Sequence, residues 1–185
     1  MRSRFCPATG TSRLGRAMAV FFTSDHHFGD ARRLGFDRRP FASRDAMDDA
    51  MVARWNAVVG AGDEVWHLGD VARSGAHAAA ILPRLNGRKH LITGNNDPPE
   101  TLALPDWASV GPYAEIEADG HGLVLCHYPF RTWNGMHRGR LNLHGHSHGR
   151  LKPMPRQYDV GVDVRDLRPV RVADLVPPAR KTTPA

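Results

Sequence analysis

Apolar and polar positions along this chain alternate between two periods. Val20-Phe21-Phe22-Thr23 is a short apolar, β-favouring run and reads as a buried first strand. Ser43 to Val59 keeps the helical period. Met47, Met51, Trp55 and Val58 fall on one face, Ser43 is placed to cap, Asp45, Asp48 and Asp49 lie near the start, and Gly60 closes the helix. Glu64 to Leu68 returns to strand. Ser74 caps a second helix through Ala78, Ile81, Leu82 and Leu85, ended by Gly87, with Pro83 making its last turn irregular. His90-Leu-Ile-Thr93 is a third strand. This β–loop–α repetition indicates an α/β fold.

The second half changes character. Tyr113–Ala118 and Gly122–Cys126 flank Asp119-Gly120, a hairpin signal. Leu141-Asn-Leu143 is a further strand, and Tyr158 to Val164 reads as the last, with a bulge at Gly161. No internal repeat or linker divides residues 18–176, which are expected to form one domain. Residues 1–17 and 177–185 read as disordered tails, the first basic and the second rich in proline.

Charge adds little to this picture. The net charge is +6, but residues 1–17 carry four arginines and no acid, and residues 177–185 carry Arg180 and Lys181 and no acid. Of 25 basic residues, 19 remain in the body against 19 acidic ones. Any nucleic-acid contact is therefore expected through the tails alone. No apolar run approaches the roughly 20 residues of a membrane span, and the N-terminus lacks the apolar centre of a secretory signal. Two cysteines, Cys6 and Cys126, make no disulfide framework, which fits a cytoplasmic location. Oligomeric state is not legible.

The chemistry lies at the ends of the strand-like runs. Asp25 and His27 follow the first, Asp70 the second, and Gly94-Asn95-Asn96-Asp97 the third. His127 follows the hairpin, and His144-Gly-His146-Ser-His148 follows Leu143. Alternate positions on an extended chain share a face, so His144, His146 and His148 can point one way. Imidazole is a common transition-metal ligand, although a His-rich polar loop is the other reading of that stretch. Polar residues beyond strand carboxyl ends are where open α/β sheets bind ligands. A carboxylate can bridge two cations, and mixed nitrogen and oxygen donors suit Mn, Fe, Zn or Ni better than Mg or Ca.

The series D-x-H, G-D, G-N-N-D, H and G-H-S-H, in this order, resembles the calcineurin-like metallophosphoesterases. FTSDHHFGD, RPF, WNAVVGAGDEVWHLGD, HLITGNND and LHGHSHG point to the small bacterial or phage-type branch. The resemblance covers roughly residues 18–176. It implies a four-layer α/β/β/α sandwich of two mixed sheets flanked by helices, with two divalent metals, manganese first among the candidates. Asp25, His27 and His148 would hold one metal, and Asn95, His127 and His146 the other, with Asp70 between them. His144 lies outside the motif. The implied activity is hydrolysis of a phosphate ester, a phosphodiester foremost, by a metal-bridging hydroxide. A nuclease or nucleotide pyrophosphatase is the alternative enzyme, and a metal-binding interaction scaffold the alternative of another class.

Two departures from the family pattern bear on catalysis. Asn96 stands where the family's G-N-H-D carries histidine beside the leaving group, and Asp30 stands where related small enzymes often have histidine. His26 is the candidate replacement proton donor, with a solvated loop histidine as its plainer reading. Arg73, Tyr128 and Arg131 follow ligand-bearing loops and are candidates for contact with phosphate oxygens.

Overall fold

The computed structural model describes residues 17–176, so the calls on the two tails lie, but for residue 17, outside the described residues. The strands are β1 Val20–Thr23, β2 Glu64–His67, β3 Arg88–Ile92, β4 Trp107–Gly111, β5 Tyr113–Ala118, β6 His121–Cys126, β7 Leu141–His144 and β8 Gln157–Asp159. The helices are α1 Arg33–Phe36, α2 Arg44–Val58, α3 Gly75–Ile81, α4 Pro99–Leu102 and α5 Val172–Leu175. Two four-stranded sheets result, ordered β1-β2-β3-β4 and β5-β6-β7-β8.

The four strands of the first sheet run parallel. Its only antiparallel contact among the described residues is the two-bond bridge between Phe22 and Val170. The second sheet is mixed: β5 and β6 form the expected hairpin, while β6-β7 and β7-β8 are parallel.

The first sheet is buried on both faces, as near-continuous apolar runs require. Phe21, Val65 and Leu91 face α2 and α3, where they meet Met47, Met51, Trp55, Ala78 and Ile81. Their neighbours Phe22, Trp66 and Ile92 face the other way and meet Leu123, Leu125, Leu141 and Leu143 of the second sheet. Period-two alternation thus places one residue of each pair in the helix layer and the next between the sheets.

The caps form as expected: Ser43 Oγ accepts from Ala46 N at 3.2 Å, and Ser74 Oγ from His77 N at 3.4 Å. Pro83 converts the end of the second helix into a 3₁₀ turn over Leu82–Arg84.

Three elements differ from expectation. Strand β4, at the edge of the first sheet, was not legible because Trp107-Ala-Ser-Val-Gly111 shows one buried residue and no alternation. The last strand is short. Beyond Asp159 the chain makes a bridge from Gly161 to Ser24 and then a 3₁₀ turn over Val162–Val164, so no β-bulge forms. On the far face of the second sheet, at Asn142, the cover is the segment through Phe130. Its amide donates to Asn142 Oδ1 at 3.2 Å, and its nearest helical piece is the 3₁₀ turn Met136–Arg138.

Leu125 is fully buried between the sheets. Leu125→Ala should lower unfolding free energy by about 2–5 kcal/mol, read as a shift of the urea midpoint at constant slope. A midpoint unchanged from wild type would show that the sheets are not packed through this residue.

Candidate metal centre

The loops after β1, β2, β3, β6 and β7 converge at one end of the two sheets. Backbone bonds lock them together. Asp25 N donates to Gly69 O and His27 N to Asp70 O, each at 3.0 Å, and Gly145 N donates to His127 O at 3.0 Å. Five of the seven predicted ligands, Asp25, His27, Asp70, His146 and His148, have φ between 47° and 64°. That region is costly for non-glycine residues and is populated where surrounding structure over-determines the backbone. Close approach also demands glycine beside them. A Cβ on Gly69 would stand 2.5 Å from Gly94 N, and one on Gly145 would collide with Ser24 and Asp25.

Three groups of potential ligand atoms form among the described residues. Asp25, His27 and His148 make one and Asp25, Asp70 and His127 another, while Asp37, His148 and Asp163 make a third beside them, its two carboxylates already paired with arginines. His27 Nε2 lies 4.0 Å from Asp25 Oδ1 and 3.4 Å from Asp70 Oδ2, while His148 Nε2 lies 3.7 Å from Asp25 Oδ1. His127 Nε2 lies 3.7 Å from Asp70 Oδ1 and 3.0 Å from Asn95 Oδ1. Each oxygen of Asp70 therefore faces a different histidine. His146 enters through ring contacts, 5.1 Å from His127 and 4.7 Å from Tyr128. Its amide donates to Asp25 Oδ2 at 2.9 Å.

These residues fit a metal on an observation independent of any motif. Asp25 Oδ1 and His27 Nε2 are buried with no hydrogen-bond partner. Buried polar atoms are normally satisfied, and a carboxylate without a counter-charge is costly. Burial accordingly raises the Asp25 pKa from 3.8 to about 6. Most of the separations exceed hydrogen-bonding range, yet they suit pairs of atoms sharing an ion at about 2.0–2.2 Å.

The outer nitrogens are oriented as ligating histidines require. His127 Nδ1–H donates to Leu68 O at 2.7 Å, and His148 Nδ1–H to Asp163 Oδ2 at 2.7 Å. His27 is the exception. Arg33 Nη2 stands 3.3 Å from its Nδ1, and a guanidinium only donates. Ion binding at Nε2 requires the ring proton to move to Nδ1 and that contact to open.

Sequence reasoning missed the residues that hold the ligands. Arg39 is buried. Its Nη1 donates to His26 O and its Nη2 to Asp25 O, both at 2.6 Å. The same guanidinium grips Asp163 at 2.8 and 2.9 Å, the carboxylate that orients His148. Asp97 accepts from the amides of Asp70, Val71 and Gly94 at 2.8–2.9 Å. Arg39 lies within the quoted RPF and Asp97 within G-N-N-D, but only the contact of distant segments reveals what they do.

His26 is corrected. It is not a solvated loop residue but is fully buried, stacked on Phe28 and 2.9 Å from His67 Nε2. Burial, with His67 beside it, keeps it neutral, with its pKa well below 6.5. It has no path to a substrate. His144 is also buried, with its ring nitrogen 2.8 Å from Gly145 O.

Asn96 lies on Asp70: its side-chain amide donates to Oδ2 at 2.6 Å and its backbone amide to Oδ1 at 2.8 Å. Arg73 shares a small recess with His27, Asp30, Arg32 and Asn96. Tyr128 is exposed and packs edge-on against His127 and His146. Arg131 is exposed, and nothing in the structure ties it to the ligands.

Comparison with known proteins agrees with this architecture. The chain is 33% identical to the Gene 66 protein of Mycobacterium phage D29, with 82% of this chain and 92% of that protein covered. It is 30% identical to the Gene 66 protein of Mycobacterium phage L5, covering 78% and 86%. The chain belongs to the family of these phage proteins. No family model matches it. Among solved structures, a protein of unknown function from Aquifex aeolicus superposes with a TM-score of 0.65 at 21% identity, covering 84% of this chain and 96% of that one. The Gene 66 family thus shares its fold with a distant bacterial protein. No described helix is long and apolar enough to cross a membrane.

Two outcomes follow from this geometry. Because Asp70 faces both histidine sets, Asp70→Asn should reduce bound metal per chain more than Asp25→Asn does, read by elemental analysis after Mn²⁺ loading. Equal stoichiometry in both variants and wild type would exclude a bridging role.

The second outcome concerns acid. Burial holds His26 well below 6.5, His27 at about 2 and His67 at about 3, so all three are neutral in the folded chain and protonate on unfolding. The unfolded state then binds more protons. Asp25 and Asp48, raised by burial to about 6, oppose this, as do Asp97 and His148, which are also raised, but burial lowers His90, His144 and His146 as well, so the depressed histidines outnumber the opposing groups. Metal-free protein should be most stable above about pH 6.5 and lose stability as pH falls toward 4. A urea midpoint in chelator that is higher at pH 5 than at pH 7 would contradict the assignment.

Proposed function

We propose that this chain is a metal-dependent phosphoesterase that cleaves phosphodiesters with two divalent ions, manganese first among the candidates. The observation that carries the reading is the pair of partnerless buried atoms, Asp25 Oδ1 and His27 Nε2, inside a ring of His148, Asp70 and His127. Divalent ions held there would supply Lewis acidity to phosphoryl oxygens and lower the pKa of the attacking water.

The chain's own residues do the rest. Asp70 presents one oxygen to each half of the site. Leu68 O and Asp163 fix the tautomers of His127 and His148, leaving each Nε2 free to ligate. Arg73 has no side-chain partner among the described residues and stands beside His27 and Asn96, where it can meet a non-bridging phosphate oxygen.

Among the described residues that line the recess of Asn96, His27 belongs to the candidate ligand set and the Arg32–Asp30 pair holds the Asp30 carboxyl low, so none is placed as the acid that gives the leaving group its proton. The amide of Asn96 does not titrate in the working range, and His26 is sealed in the core. A departing alkoxide needs that proton far more than a nitrophenolate does. A positioned general acid contributes about 10²–10⁴-fold, and histidine can serve as one near neutral pH.

The test is a leaving-group series of phosphodiesters at fixed Mn²⁺. Wild type should hydrolyse bis(4-nitrophenyl) phosphate in a chelator-sensitive manner, with a rate that falls steeply as leaving-group pKa rises. Asn96→His should flatten that slope and help poor leaving groups most. Absence of metal-dependent diester hydrolysis would overturn the function. A flat dependence in wild type would show that a proton donor exists elsewhere.

A further inference from the structure

Beside the centre, His148 forms the wall of a second cleft of about 330 Å³, completed by Phe36, Asp37, Arg38, Arg150 and Asp163. The two carboxylates are already paired. Asp37 meets Arg33 at 3.1 Å and Arg150 at 2.8 Å, and Asp163 meets Arg39 and His148. Their charge is spent within the protein, so they do not repel an incoming anion as free acids would. Arg38 differs from the other guanidiniums here: its side chain makes no hydrogen bond or ion pair among the described residues. Its backbone is held at φ 53°.

Phe36 is 71% exposed, the highest of the large apolar side chains in the described residues. A phenyl ring left in water forgoes the gain of burial. Its backbone is tethered, since Phe36 O accepts from Arg150 Nη2 at 3.3 Å. His27 and His148 stack with ring centroids 5.5 Å apart. Arg73 shares a recess with His27, and Arg38 shares the cleft with His148, so each of these two histidines has an arginine without a side-chain partner among the described residues in the hollow beside it.

We propose that this cleft is a nucleotide subsite for a single-stranded oligonucleotide, and this rests on the phosphoesterase reading of the adjoining centre. The base next to the scissile diester stacks on Phe36, and the neighbouring phosphate meets Arg38. Stacking on an exposed aromatic beside a cationic groove is how single strands are held. Arg38 in the cleft and Arg73 in the recess offer cations to more than one phosphate, and a mononucleotide lacks the second. A duplex offers no free base face to Phe36. The contact therefore lies in the folded body, although its total charge is balanced and the surplus sits in the tails.

The experiment uses the full chain, tails included, loaded with Mn²⁺. Anisotropy of a fluorescein-labelled, phosphorothioate single-stranded octanucleotide reads affinity. Phe36→Ala removes the ring. Arg38→Asn removes the charge with a residue that tolerates left-handed backbone. Each should weaken binding about tenfold, and Arg38→Asn should also lessen the salt slope by about one phosphate contact. The ratio of oligonucleotide to bis(4-nitrophenyl) phosphate kcat/KM should fall in both.

Octanucleotide binding that is unchanged in both variants assigns it to the tails and overturns the subsite. So does a mononucleotide or a duplex bound as tightly as the single strand. Weakened binding in the variants with no hydrolysis of any diester keeps the subsite and removes the phosphoesterase reading. Aryl diester hydrolysis with variant affinities equal to wild type removes the subsite alone.

Discussion

The guanidinium of Arg39 is the interaction on which the candidate centre depends. It binds two successive carbonyls of the Asp25-His26-His27 loop and, on its other edge, the carboxylate that orients His148. These segments are far apart in the chain, and no other side chain in the described residues touches all three. A buried charge is tolerated only with full hydrogen bonding, and here Asp163 and two carbonyls supply it. The rigid fork of arginine suits this role in a way that the single ammonium of lysine does not.

That anchoring makes the strained backbone intelligible. Positive φ at Asp25, His27, Asp70, His146 and His148 turns side chains into a common volume that regular strand ends would not reach. The cost of each such residue, of order 1–3 kcal/mol, is carried by a first sheet buried on both faces. Gly69, Gly94 and Gly145 complete the arrangement by letting backbones pass where any Cβ would collide. Strain, glycine and the arginine clamp are thus one device: they fix the backbone that presents the candidate ligand atoms.

Much of this was legible in the residues, because the signals were local. Strand β1, the hairpin, the caps at Ser43 and Ser74 and the break at Pro83 follow from neighbours in sequence. The convergence of Asp25, His27, Asp70, Asn95, His127, His146 and His148 at one end of the sheets follows from each standing just past a strand. What could not be read depends on contacts across the chain. Arg39 and Asp163 are 124 positions apart, and neither carries a pattern of its own. His26 looked like a loop histidine because its neighbours are polar; the pocket of Phe28, Trp55 and His67 that encloses it exists only after folding. Strand β4 failed for the same reason, since an edge strand with one buried residue has no periodicity to read.

The carbonyl of Leu68 receives two donors, Ser24 Oγ at 2.9 Å and His127 Nδ1 at 2.7 Å. One donor comes from the first sheet and the other from the second, so this oxygen is one of the junctions between the halves of the molecule. Sliding one sheet past the other by a residue, about 3.3 Å, would break that junction and carry His127 away from Asp70. The ligand set therefore gauges how the two sheets are docked. Neither half alone contains a complete set, so the candidate ligands are brought together only where the layer of leucines between the sheets has closed.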